Sequence, residues 1–128
     1  MDRLNAWAPR VLSLLRIITA LLFMEHGLMK LFDFPAPVPG MPHPLPMMGM
    51  VAGILESVGG GLVLIGLFTR PVAFLLSGEM AVAYFMVHMK GGPWPALNMG
   101  EPAILFCWVF FYLVFAGGGS WSLDARLR

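Results

Sequence analysis

Apolar and polar positions along this chain alternate on the scale of a bilayer. Four apolar stretches, at about residues 11–32, 47–68, 72–89 and 101–115, are separated by turn-rich segments. A membrane-crossing helix needs ~20 mostly apolar residues at ~1.5 Å rise each, and the stretches approach or reach that length. Between the first two lies DFPAPVPGMPHPLP, where six prolines in fourteen residues forbid a regular helix and predict a loop of polyproline character. Thr69-Arg70-Pro71 makes a tight turn, Lys90 to Gly100 a second Gly/Pro loop, and Gly117-Gly118-Gly119 stops the last stretch. The pattern predicts an all-α fold, a single-domain integral membrane four-helix bundle over residues 1–128.

The polar residues inside these stretches fall on faces. At ~100° per residue, Arg16, Thr19, Phe23, His26, Gly27 and Lys30 share one side of the first helix. Glu25 lies nearly opposite Arg16, facing another neighbour or a partner subunit of a homo-oligomer. In the second stretch Gly49, Ala52, Gly53, Glu56, Gly59, Gly60 and Val63 share a face, and small residues there let another helix approach closely. Glu79 sits in the third stretch, while Glu101 opens the fourth, where a carboxylate also suits the helix dipole. Pro9 suits the first turn of a helix, and Trp7 and Arg10 fit an interfacial anchor.

Composition narrows the class. The chain is 59% hydrophobic and 12% charged, against about 25% charged in soluble domains. A net charge of +1 and no basic cluster give no footprint for nucleic acid. Cys107 is the sole cysteine, so an intrachain disulfide, a C-x-x-C pair and a cysteine-rich zinc site are excluded. His43 and His88 read as solvated, with no metal ligands at suitable spacing, and no metal site is expected. The first apolar run exceeds the about 7–15 residues of a signal-peptide core, so an uncleaved first span is expected. Arg3, Arg10, Arg70, Arg126 and Arg128 fall on one side and only Lys30 and Lys90 on the other. The positive-inside rule then predicts cytoplasmic termini in a multi-pass protein of a bacterial inner membrane, with lipid as its first partner.

Charge inside a bilayer costs ~2.5–3.5 kcal/mol per group on insertion scales, so each intramembrane charge needs a use. Arg16 and Glu79, at similar depth from the inner face, are expected to form a buried ion pair that fixes helix register. Lys30 could meet Glu101 at the outer end. His26, Lys30, Glu56 and Glu101 are the candidates for ligand binding or a proton relay, since intramembrane ionisable groups are functional by default. No catalytic residue is assigned.

Four groups of residues form a recognisable order: Arg16 with His26-Gly27-x-x-Lys30-Leu31; Glu56-x-x-Gly59-Gly60 leading to Gly66-Leu67-x-Thr69-Arg70; Met80-x-x-Ala83; and Gly100-Glu101 with Gly117-x-Gly119-x-x-Ser122-Leu123-Asp124. From about Leu15 to Asp124 the chain resembles the DoxX family of small four-helix membrane proteins. The resemblance implies a membrane subunit of a redox or oxidative-stress system, with relatives linked to quinone, catechol and thiol stress. A quinone-like molecule is then the candidate ligand, with His26 or Lys30 donating to a carbonyl, Glu56 relaying protons and the aromatics of the fourth helix walling the ring. Glu25 and the proline-dense first loop depart from the family pattern. No C-x-x-C-H, G-x-G-x-x-G or iron–sulfur cysteine set is present, so redox turnover calls for a partner protein or a dissociable cofactor. A small proton-coupled transporter of an organic acid or sulfur anion, with Arg16 and Lys30 as anion binders, is the alternative.

Overall fold

The computed structural model describes residues 1–128 and contains helices and loops without strands. Helix α1 spans Asp2–Phe32, α2 Met47–Ile65 and α3 Thr69–Gly91. A short α4, Pro95–Asn98, precedes α5, Glu101–Ala116, and a last turn, α6, covers Leu123–Arg126. Helices α1, α2 and α3 are long and apolar enough to cross a membrane, whereas α5 is apolar but only 16 residues long.

Two helix pairs make the body. Helices α1 and α2 run antiparallel in close contact, and α3 packs along α5. Glycine sets the first pairing. A Cβ on Gly27 would lie 2.7 Å from the Ser57 nitrogen and 2.8 Å from the Glu56 Cβ, and one on Gly53 would meet Leu31 at 2.8 Å. Such approach forgoes helix propensity for packing, which drives helix association in lipid. The second pair is tied by the Ser77 hydroxyl, which donates to the Cys107 carbonyl at 2.8 Å. Phe23, Val63, Leu76, Phe110 and Leu113 fill the shared core, with Phe23 edge-on to Phe110 at 4.8 Å. Large apolar side chains such as Ile18, Val58, Phe74, Val82 and Phe115 stay exposed around the outside, as a lipid-facing belt requires.

Element boundaries differ from expectation in three places. Helix α1 begins at Asp2 rather than near Val11, and Pro9 lies inside it, its carbonyl accepting from Ser120 N–H at 3.2 Å. Helix α2 stops at Ile65 because Gly66 turns left-handed (φ 73°) against Ser122. Helix α3 starts early, at Thr69, because the Asp124 carboxylate caps it by accepting from the N–H groups of Phe68 (2.8 Å) and Thr69 (2.9 Å). Two π-helical turns, Leu55–Gly59 in α2 and Tyr84–His88 in α3, carry no signal in the hydrophobic pattern.

The loops divide by how they are held. Residues 33–46 are mostly exposed. The second loop is pinned by buried Asn98, whose amide donates to Tyr84 Oη (3.2 Å) and the Gly92 carbonyl (2.9 Å) while its oxygen accepts from Gly100 N–H (2.9 Å).

Candidate functional site

Two polar regions interrupt the apolar interior. The first lies at the bundle end where the chain's tail folds back. Arg16, 1% exposed, donates to the carbonyls of Gly118, Trp121 (2.9 Å) and Leu64 (3.3 Å). Ser13, one turn earlier, donates to the Gly118 carbonyl at 3.0 Å and accepts from Trp121 N–H at 2.9 Å. Gly119, at φ 83°, lets the tail pass this close; a Cβ there would fall 2.6 Å from the Pro9 carbonyl oxygen. Asp124 closes the same end. Burial alone would raise its carboxyl, but hydrogen bonds from Thr69 and Phe68, with Arg128 nearby, outweigh it and hold the group below the usual carboxylate range.

The ion pair expected between Arg16 and Glu79 is therefore not formed. Arg16 lies level with Leu64, at the end of α2, while Glu79 is ten residues into α3, roughly 15 Å further along. The guanidinium is held by backbone carbonyls instead.

The second region sits at mid-height. Lys30 donates to Glu56 Oε1 at 2.6 Å, with side chains 17% and 2% exposed. The Glu79 carboxyl lies against the Glu56 carboxyl with Lys30 nearby, and both its oxygens are buried with no N–H or O–H of another residue facing them. The ring of contacts follows from the helices. Gly27 brings α1 onto Glu56, and a π-helical turn carries Glu56 itself, a backbone feature that recurs at functional sites. Ser57, in the same turn, has a buried hydroxyl without a partner. With Lys30 charged and both carboxyls ionised the cluster would carry one negative charge, so it is one proton or one hydrogen-bond donor short.

The remaining candidates lie elsewhere. Lys30 does not reach Glu101, which is exposed at the first turn of α5. His26 is exposed, its ring edge-on to Phe106 at 5.8 Å, and makes none of the cluster's hydrogen bonds. Between α3 and α5 an apolar groove of about 250 Å³ begins at Met80, the residue after Glu79, and is walled by Tyr84, Ile104, Cys107 and Trp108. Sequence reasoning passed over Ser13, Ser57 and Asn98. The spacing Ser13-x-x-Arg16, one helical turn on one face, was the signal available for the first.

A compact helical body with membrane-length helices, a lipid-facing apolar surface and an acid–base cluster at mid-height defines a small integral membrane protein. The chain belongs to the DoxX family, whose pattern it matches over residues 11–89. An uncharacterized protein of Haemophilus influenzae is 43% identical over 131 residues, covering 98% of this chain and 97% of that protein. The inner membrane protein YphA of Escherichia coli is 30% identical, covering 95% and 94%. A Bacillus subtilis protein named "Putative oxidoreductase CatD" is 30% identical, covering 87% and 82%. No solved structure matches the chain significantly.

Proposed function

We propose that this protein is the proton-handling membrane subunit of a redox system, and that Lys30, Glu56 and Glu79 bind the polar head of a quinone-like molecule. The observation that carries this reading is the Glu79 carboxyl, buried at mid-height against the Glu56 carboxyl with no N–H or O–H of another residue facing it. A buried polar group without a donor costs ~1–3 kcal/mol, more when charged, so this carboxyl pair calls for a proton or a donor from a bound molecule. The residues fit such a ligand. Glu79 offers acceptor oxygens for a hydroxyl and Lys30 an ammonium. When bound, such a group would supply two-electron, two-proton chemistry. The chain's own part is to take up or release a proton at the Glu79 carboxyl while Lys30 holds Glu56 in place. Electrons would come from a partner protein. The name of the B. subtilis relative supports a redox setting. In this reading α5 crosses the membrane as a fourth, short span, and the arginine-rich end with both termini faces the cytoplasm of a bacterial inner membrane.

Transport of an organic acid or sulfur anion is the second reading. Arg16 gives it little support, since that guanidinium is committed to three carbonyls. The deciding experiment is native mass spectrometry of detergent-extracted protein with quinone extraction. Stoichiometric quinone that is lost in Glu79→Gln and Glu56→Gln supports the redox reading. Wild-type protein that neither retains nor loads added quinone overturns it, and anion uptake into liposomes becomes the assay.

A further inference from the structure

Glu25 is the one charged side chain that faces outward at mid-height. The α1–α2 contacts fix its depth: Met24 packs on Gly60, Gly27 on Ser57 and Leu31 on Gly53. Glu25 is thus level with about residue 58 or 59 of α2, roughly 10 Å from the Ile65 end and roughly 17 Å from Met47. Its side chain is exposed. Facing lipid there is among the costliest placements for a charged side chain, and an acyl chain offers no hydrogen bond in return.

The surface around Glu25 has a period. Val11, Leu14, Ile18, Leu21, Glu25 and Leu28 are spaced 3, 4, 3, 4 and 3 residues apart, the first five exposed and Leu28 half-buried. Ile18 and Leu21 are 57% and 51% exposed. This is a heptad seam with β-branched residues at the first position, leucine at the fourth, and a single polar residue at one first position. That combination favours two parallel strands and fixes their register. Two copies in one membrane share an orientation, so a two-fold axis along the membrane normal sets their α1 helices parallel and makes each residue face itself.

We propose that this face of α1 is the interface with a second copy of the chain, with the two Glu25 side chains hydrogen-bonded to each other across the axis. The hydrogen bond needs a proton on one carboxyl. The group that requires a polar partner and the group that supplies it are the same residue, which singles out a second copy over lipid or an unrelated helix. Packing of Leu14, Ile18 and Leu21 supplies the van der Waals contact, since lipid provides no hydrophobic drive between helices. The interface is on the far side of α1 from Gly27 and leaves the Lys30–Glu56–Glu79 cluster untouched.

The test is cysteine crosslinking of the full chain in native membranes, in a Cys107→Ser background. Leu14→Cys and Leu21→Cys should give disulfide-linked dimers on mild oxidation, whereas Val58→Cys on α2 and Val82→Cys on α3 should not. Dimer affinity measured by energy transfer between labelled copies in liposomes should fall about tenfold in Glu25→Ala and change less than about threefold in Glu25→Gln. A monomer under all conditions, crosslinking as strong at positions 58 and 82, or a Glu25→Ala protein that associates like wild type would overturn the proposal. Glu25 and the four scanned positions are exposed while Cys107 is half-buried, and unchanged helical circular dichroism checks that each variant retains the fold.

Discussion

The two polar regions of this molecule treat buried charge in opposite ways. At the closed end, Arg16 meets three backbone carbonyls and Ser13 reinforces the same turn of tail. At mid-height, Lys30 satisfies one oxygen of Glu56 while Glu79 faces a second carboxyl and no donor. Arg16 is held through both terminal nitrogens by backbone carbonyls, although its buried Nε has no partner, and a group so tied holds structure. One left short beside an ion pair can exchange what it binds. Burial alone therefore does not mark a functional charge in a membrane bundle. What marks it is an acid placed against another acid beside an ion pair, with no donor of its own.

Substitutions should separate the two regions, and the largest effect belongs to the closed end. Arg16→Ala strands the carbonyls of Gly118, Trp121 and Leu64 and should cost about 3–5 kcal/mol, read as a fall in detergent melting temperature. Arg16→Lys should recover only part, because one ammonium cannot span a fork of carbonyls. If Arg16→Ala melts like wild type, the closed end is not a lock.

Gly27→Ala tests the second region from beneath. Its Cβ would fall 2.6 Å from Ser57 Oγ, so α1 and α2 must part, at a cost of about 1–3 kcal/mol. The same movement should loosen the Lys30–Glu56 contact and weaken ligand binding together with stability.

Asp124→Asn should cost about 0.5–1 kcal/mol by weakening the cap on α3. The carboxyl is depressed in the folded chain. Its contribution is therefore complete above the unfolded value of about 3.9 and is lost as pH falls through the lower folded value. The melting difference between wild type and Asp124→Asn should be steady from neutral pH down to about 5 and close below about 4.

Glu79→Gln should have the smallest effect on stability and sharpens the comparison most. Replacing an incompletely bonded carboxyl with an amide should leave the melting temperature unchanged or slightly raised, while binding of a quinone-like ligand is lost. A Glu79→Gln protein that is both destabilised and fully competent would assign the cluster to structure.

The helices and their polar contents could be read from the sequence, because bilayer length and a period of 3.6 residues leave strong marks. Arg16, Lys30, Glu56 and Glu79 stand out as charges in apolar runs, and the family could be recognised from spacing. Partners could not be read. Lys30 meets Glu56 rather than Glu101 because Gly27 and Gly53 set how far α1 slides along α2, and slide has no sequence period. Arg16 was matched to an acid because acids are visible in sequence. Backbone carbonyls are present at every residue and distinguish none. The same slide sets Arg16 level with Leu64 at the end of α2, away from Glu79.

The tail's hold on Arg16 has a consequence for synthesis. Arg16 precedes Gly118 by 102 residues and Trp121 by 105, so on the ribosome its guanidinium emerges long before the carbonyls that receive it. Throughout most of translation the first helix carries a cation that the unfinished bundle cannot accommodate. Leu64 follows Arg16 by only 48 residues, but the other two carbonyls arrive with the tail, so completion of the chain and closure of this end of the bundle become one event.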